Sequence, residues 1–193
     1  YTLRLRAKKG TKTSDWVSMP YTISSPDAPK NPQVTYTINE NGNTYDVTVR
    51  WSAGSKTEND GWIVNGGEVQ QDTSYVLYAQ TPGDITTLSI LEKVDLSTSG
   101  ALQVPIQVPC LPATLPDTVI TTQTSATFTF SQAIANRKVI IGGNEYPASA
   151  TSITIDGLTR GMTYSYEVRE YCNEETDTYS DTTGAFATVG CFA

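Results

Sequence analysis

Residues 157–169 read GLTRGMTYSYEVR and join a turn to a strongly alternating run. In the second half of this stretch, Tyr164, Tyr166 and Val168 alternate with polar side chains. Because successive side chains of a β-strand point to opposite faces, this run predicts a strand with one buried face and one solvated face. The turn that precedes the strand is marked by Arg160-Gly161.

The same two-residue period recurs along the chain. Residues 85–94 instead place an apolar residue at every third position, but Thr86 and Thr87 favour a strand there too. Turn signals such as Gly142-Gly143 separate the runs, and short strands between turns predict an all-β antiparallel sandwich. The clearest further alternating segments are residues 3–7, 45–51, 102–108 and 126–130.

Two proline-rich segments divide the chain. Residues 24–32 and 109–116 are predicted to be extended, semi-rigid linkers. The predicted parts are therefore a fragment at residues 1–24, a module at about 30–109 and a module at about 110–190.

An internal repeat supports this division. When the sequence is shifted by 163 residues, Leu3 falls on Tyr166 and Leu5 falls on Val168. Segments of one β-module therefore recur along the chain. Residue 1 is Tyr rather than Met, and residues 1–7 already have the pattern of a strand, which is typical of a piece of a longer polypeptide.

Composition argues against several function classes. The chain has 13 Lys and Arg against 20 Asp and Glu, a formal net charge of −7, and no His. Nucleic acids and anionic membranes bind basic clusters, so neither is an expected partner. The absence of His removes imidazole metal sites and acid–base relays. The uncharged run at residues 96–116 contains four prolines, which a membrane-spanning helix does not tolerate. We expect no cofactor, no metal and no membrane insertion.

Three stretches resemble fibronectin type III domains. Residues 157–169 resemble the corner between strands E and F, where Leu158 precedes the corner Tyr164 by six residues. Residues 124–130 are similar to strand B, and residues 1–23 resemble strands F and G. The resemblance implies an all-β fold of tandem antiparallel β-sandwiches with fibronectin type III or immunoglobulin-like topology.

The middle module fits the family pattern less well, because it has five candidate strands where the family has seven. One interpretation is a divergent module with a degenerate end. The other is that residues 1–24 supply two strands to complete it, from the same chain or from a neighbour. Residues 1–24 are accordingly either the F and G strands of a truncated preceding module or a donated hairpin. The five candidate strands are residues 33–39, 45–51, 74–80, 86–94 and 101–108.

The resemblance implies a non-catalytic scaffold or adhesion module of a longer extracellular or cell-surface protein, and not an enzyme. Its expected partners are neighbouring domains of the same polypeptide and a protein or glycan bound through loops. One alternative is a self-assembling structural subunit, a filament or phage-tail-like virion component that forms a homo-polymer by strand exchange. The other alternative is an accessory glycan-binding module of a secreted glycoside hydrolase.

The resemblance also implies a pairing for two of the three cysteines. Cys110 lies just before the first strand of the last module and Cys172 follows its strand F, and these two ends share one pole of the fold. A Cys110–Cys172 disulfide is therefore expected, and it implies an oxidising compartment. Similar cysteine placement occurs in secreted tandem repeats of Bacteroidetes surface proteins, and Cys191 would open a next module. The alternative is three buried free thiols.

Residues 54–68 form an insertion with a candidate contact site. Trp62 lies there among Asn59, Asp60 and Asn65. An exposed Trp in polar surroundings would serve as a stacking platform for a sugar or as an anchor for a protein partner. The alternative is that residues 62–64 fold back as an edge strand with Trp62 packed.

A second candidate is an acidic cluster in the loop after strand F. Paired carboxylates are the groups used in glycoside hydrolysis, and carboxylate oxygens bind Ca²⁺. The spacing matches no calcium-loop motif, so we interpret the cluster as a solvated acidic loop. Its members are Glu174, Glu175, Asp177 and Asp181.

Overall fold

The computed structural model describes residues 2–20, 25–40, 42–55 and 58–190. Within these ranges the regular secondary structure consists of β-strands in antiparallel sheets. This confirms the prediction of an all-β fold. The described residues contain no helix that could cross a membrane.

The strands of the described residues are two to eleven residues long. The first strands are β1 (Thr2–Leu5), β2 (Lys8–Lys9), β3 (Lys12–Thr13) and β4 (Val17–Pro20). Then follow β5 (Lys30–Ile38), β6 (Tyr45–Ser52), β7 (Gly61–Val64), β8 (Val69–Gln70), β9 (Ser74–Gln80), β10 (Ile85–Val94), β11 (Ser97–Thr98) and β12 (Leu102–Gln107). The last are β13 (Thr118–Thr121), β14 (Ser125–Thr129), β15 (Arg137–Ile141), β16 (Asn144–Pro147), β17 (Ser152–Asp156), β18 (Thr163–Asn173) and β19 (Thr178–Ala187).

Two compact units make up the chain. Unit 1 comprises Tyr1–Thr35, Thr48–Val76 and Thr87–Ile106. Unit 2 comprises Tyr36–Val47, Leu77–Thr86 and Gln107–Ala193. The module boundaries predicted from the proline-rich segments stay predictions.

Unit 2 contains two sheets that enclose one core. One sheet has the order β13-β14-β17 and the other has the order β16-β15-β18-β19. Phe128 of β14 lies edge-on to Tyr166 of β18 and Phe186 of β19, with ring centroids 5.1 and 5.5 Å apart. Val139 and Val168 are fully buried in the same cluster. Of the inward set predicted for β18 by alternation, Tyr166 and Val168 are buried in this cluster, and Tyr164 is partly buried and packs against it.

The turn before β18 has the geometry of a tyrosine corner. The backbone N–H of Thr159 donates a hydrogen bond of 2.7 Å to the hydroxyl of Tyr164. Leu158 is buried in the core, and its N–H donates to the carbonyl of Thr124. A tyrosine that bonds back to the backbone a few residues upstream fixes the entry of the strand. This arrangement is the corner that the resemblance implied for residues 157–169.

The middle of the chain has more strands than the five predicted. The strands β7, β8 and β11 were not among the predicted set, although a strand at residues 62–64 was an open alternative. One sheet has the order β5-β6-β9, and the other has the order β11-β10-β7-β8 with β12 also paired to β10. The extra strands are only two to four residues long, so alternation is too brief to reveal them. Residues 85–94 form the strand β10, as expected.

Residues 2–20 form an amphipathic hairpin. β1 pairs with β4, and Leu3 lies opposite Met19 while Leu5 lies opposite Val17. These four apolar side chains share one face of the hairpin, because residues at alternate positions point the same way. Each is at least half exposed, from 51% to 64%.

Candidate functional site

A disulfide joins Cys110 to Cys172, as expected from the resemblance, with 5.5 Å between their Cα atoms. It links the segment before β13 to the end of β18. The prediction for Cys191 lies outside the described residues. A cavity of about 200 Å³ lies beside the disulfide and is lined also by Pro82, Leu111 and Tyr171.

A buried carboxylate organises the insertion in unit 1. Glu92 of β10 is completely buried. One of its oxygens accepts hydrogen bonds from the backbone N–H groups of Gly54 and Ser55, at 2.7 and 3.3 Å, and the other accepts from the Asn59 amide at 3.0 Å. A buried charge needs such donors, because burial without them costs several kcal/mol. Glu92 therefore ties the start of the insertion to the sheet.

The candidate residue Trp62 is packed in unit 1. Its side chain is 7% exposed and lies edge-on to Trp51, with ring centroids 6.2 Å apart. Trp62 belongs to β7, which pairs with β10 on one side and β8 on the other. This is the packed alternative, although β7 is an inner strand and not an edge. An indole ring held this way offers no open face for stacking on a sugar.

The three polar candidates lie around this strand with different contacts. Asn59 is half-buried and bonded to Glu92, as described. Asp60 is exposed, forms an ion pair of 3.5 Å with Lys93, and accepts a bond to its carbonyl from Gln71. Asn65 adopts a positive φ of 49° and its amide oxygen accepts from the N–H of Ser89. Contact of these residues with a ligand stays a prediction.

The prediction that all four acidic residues lie in the loop after strand F is corrected by the structure: Asp181 lies within β19 opposite Arg169, and only the other three lie in the turn between β18 and β19. Its residues Glu174, Glu175 and Asp177 are exposed, and the turn is held by Asn173, whose amide oxygen accepts from the N–H groups of Glu175 and Thr176. Within the described ranges, no group of three or more Asp, Glu or Cys side chains is placed to hold a metal ion.

Sequence reasoning missed the buried ion pair of unit 2. The guanidinium of Arg137 donates to a carboxylate oxygen of Glu170 at 2.9 Å and stacks on Phe130, 4.0 Å from its centroid. Thr114 donates to the same carboxylate oxygen. A signal was present: Arg137 precedes Val139 and Ile141, and Glu170 follows Tyr166 and Val168, at the inward positions of alternating strands. Glu92, two residues after the buried Ile90, carries the same signal.

A row of charged and aromatic side chains lies on the outer face of β15 and β18. Lys138 lies 4.9 Å from the ring centroid of Tyr171, and Arg169 lies 4.2 Å from that of Tyr179. The bond between Lys138 and Glu145 raises the pKa of the lysine and lowers the pKa of the carboxyl group. The pKa of Arg169 is raised, first by its hydrogen bond to the Tyr171 hydroxyl. These charges are therefore held in their ionised forms.

Comparison with known proteins gives likeness in structure alone. No family model and no curated protein sequence matches the chain. A two-domain fibronectin type III segment of chicken tenascin has a TM-score of 0.53 and 18% identity, covering 84% of this chain and 100% of the tenascin segment. The central fibronectin III array of RIM-binding protein has a TM-score of 0.33 and 18% identity, covering 86% of this chain and 70% of that one. With its all-β sheets, its tyrosine corner and the likeness to tenascin, the chain has a fibronectin type III-like fold.

Proposed function

We propose that the chain is a non-catalytic scaffold or adhesion module of a longer extracellular or cell-surface protein. The observation that carries the proposal is the Cys110–Cys172 disulfide in a fibronectin type III-like fold. Disulfides persist in oxidising compartments, and sandwiches of this kind present loops on rigid sheets. Origin in a bacterial surface protein of the Bacteroidetes type is a finer part of this proposal.

Thiol trapping in the native host tests the location. Cells are treated with a membrane-impermeant alkylating reagent, and the protein is then denatured, reduced and labelled with a second reagent before mass spectrometry. We expect Cys110 and Cys172 to carry only the second label, and surface protease to remove the protein from intact cells. First-label modification of both cysteines, or protection of the protein until lysis, would contradict an extracellular disulfide-linked module.

The hairpin at residues 2–20 favours self-assembly as a second candidate function. Two-stranded hairpins are marginally stable alone, and contiguous exposed apolar surface marks interaction sites. Residues 1–20 also contain five Lys and Arg against one Asp, whereas the whole chain has a net charge of −7. A basic apolar hairpin is thus complementary to an acidic body of a second copy. The competing reading within our main proposal is that the hairpin is the end of a preceding module of the same polypeptide.

Oligomeric state separates these two candidates. A spacer module should be monomeric by light scattering, and it should stay monomeric when residues 1–24 are deleted. Under strand exchange, the intact chain should form ordered polymers that the deletion abolishes. Leu5→Lys on the apolar face should also abolish them, whereas Ser18→Lys on the opposite face should not. Equal effects of the two lysine variants would count against docking through the apolar face.

Ligand binding through the insertion is the remaining part of the proposal. Because Trp62 is packed, a protein or glycan would contact the exposed Asp60 and Asn65, with Asn59 beside them. The accessory glycan-binding role depends on this surface. NMR titration with oligosaccharides should shift the amide signals of these residues, and Asn65→Ala should weaken binding. If these amide signals do not shift at millimolar oligosaccharide, the glycan-binding role is contradicted.

A further inference from the structure

We propose that the Cys110–Cys172 disulfide is a redox-sensitive clamp, which holds the turn at residues 81–84 in unit 2 and releases it when a dithiol reduces the bond. The clamp concerns the turn and its neighbours, and the core of unit 2 stays folded when it opens. The proposal stands independently of the adhesion or scaffold role.

The turn packs directly on the disulfide. Gly83 is buried and adopts a φ of 86°, a region that side chains rarely occupy. A Cβ added there would lie 3.0 Å from the Sγ of Cys172 and 3.0 Å from the Cβ of Asn173. Two features therefore favour glycine at this position: the positive φ, and the short distance to the sulfur of Cys172.

Hydrogen bonds tie the same turn to the segment that carries Cys110. The N–H of Gly83 donates to the carbonyl of Val108 at 3.0 Å, and the N–H of Val108 donates to the carbonyl of Asp84 at 2.8 Å. The side-chain amide of Asn173 donates to the carbonyl of Gly83 at 3.2 Å. The turn thus contacts both sides of the disulfide, near Cys110 through Val108 and near Cys172 through Asn173.

The clamp is separate from the apolar core. The core cluster of unit 2 includes Phe128, Val168 and Phe186, and neither cysteine is part of it. Cys172 lies two residues after Glu170, at the point where β18 and β19 leave regular register between Tyr171 and Asn173. Local opening at a strand end requires less free energy than opening of the buried strands. Loss of the covalent bond is therefore expected to free the turn first.

The redox step is ordinary thiol–disulfide exchange. A thiolate of a small dithiol attacks one sulfur and forms a mixed disulfide, and the second thiol of the reductant displaces the cysteine. Two electrons and two protons pass to the protein, which gains two thiols, and the dithiol becomes a cyclic disulfide. Oxidation by a disulfide of the same class reverses the step.

Hydrogen exchange of the intact chain tests the clamp. The protein is compared before and after reduction with dithiothreitol in native buffer, and with a Cys110→Ser, Cys172→Ser variant. We expect the amides of Gly83 and Val108 to exchange about 10-fold faster or more after reduction, while those of Val139 and Val168 are unchanged. Unchanged exchange at Gly83 would overturn the proposal. Equally faster exchange at Val168 would also overturn it, since the bond would then support the whole unit.

Two glycine variants supply a matched control that keeps both cysteines. Gly83 and Gly143 have nearly equal φ values, 86° and 83°, but a Cβ on Gly143 would meet no atom within 4 Å. Both Gly83→Ala and Gly143→Ala strain the backbone, and only the first crowds the disulfide. We expect dithiothreitol to reduce the Cys110–Cys172 disulfide about 10-fold faster in Gly83→Ala than in the wild type. In Gly143→Ala the disulfide should be reduced at the wild-type rate. Equal rates for the two variants would show that the turn does not shield the bond.

Discussion

Removing the carboxylate of Glu170 should destabilise unit 2 more than any surface charge change. The guanidinium of Arg137 has no exposed side-chain surface, and Glu170 is its ion-pair partner at 2.9 Å. In Glu170→Gln the guanidinium stays buried without an opposite charge. Breaking a buried pair in this way costs about 3–5 kcal/mol, a large share of the roughly 5–15 kcal/mol that stabilises a domain.

A double variant tests whether this magnitude comes from the unpaired buried charge. Replacing both residues by apolar side chains of similar size, as in Arg137→Met with Glu170→Leu, removes the buried charges together. Such replacement is typically neutral or stabilising, so the double variant should recover to within about 1 kcal/mol of wild type. The control is Glu167→Gln, which removes a partly exposed pair with Arg169 and should cost about 0–1 kcal/mol.

Hydrogen exchange in urea is the suitable assay, because all three tryptophans lie in unit 1 and report nothing on unit 2. The free energy of opening is read from the amides of Val139 and Val168, and tryptophan fluorescence serves as an internal reference. The reasoning fails if Glu170→Gln costs no more than Glu167→Gln. It also fails if the double variant is as unstable as Glu170→Gln, because the loss would then reflect packing and not charge.

Three further results are expected. Gly184→Ala should cost about 1–3 kcal/mol, because a Cβ there would meet the ring of Tyr166, and urea unfolding would detect this. Glu92→Ala should cost a similar amount, about 1–3 kcal/mol, and should speed amide exchange at Gly54 and Ser55, which lose their acceptor. Burial raises the pKa of Tyr166, so its contribution to stability is complete below pH about 10 and is lost as the pH rises through the raised pKa. Tyr166→Phe should abolish that alkaline loss.

Alternation predicted the buried faces of several strands, but its prediction of a buried face at residues 3–7 was wrong, because Leu3 and Leu5 are more than half exposed in the hairpin. The runs that became β6, β14 and β18 each cover at least five residues, and their apolar residues are buried except Tyr164 and Tyr171, which are half-buried. The strands β8 and β11 were not predicted, and β7 was predicted only as an alternative at residues 62–64, because two to four residues do not establish a period. The strand β7 pairs with β10, a contact between distant parts of the sequence that local pattern does not contain.

The candidate site was less predictable, because burial decides what a residue does. Trp62 lies among polar residues in the sequence, yet its ring packs on Trp51. Conversely, Glu92, Arg137 and Glu170 are charged residues at inward strand positions, where sequence alone gives no partner. The disulfide was predictable only because the family resemblance placed both cysteines at one pole of the fold.

The proline-rich segment at residues 109–116 was predicted to be a spacer, but the structure attaches it to unit 2. Proline predicts an extended, semi-rigid chain, but it does not predict attachment. In unit 2 the segment is held at three positions: Cys110 by the disulfide, Leu111 by a bond from Ser180 to its carbonyl, and Thr114 by its bond to Glu170. These two hydrogen bonds survive reduction, as does one of 3.1 Å from the Tyr45 hydroxyl to the carbonyl of Cys110, so reduction should loosen the segment most near residue 110 and leave the part near Thr114 in place. The segment at residues 109–116 would then become more flexible near Cys110 while it stays attached to β18 and β19.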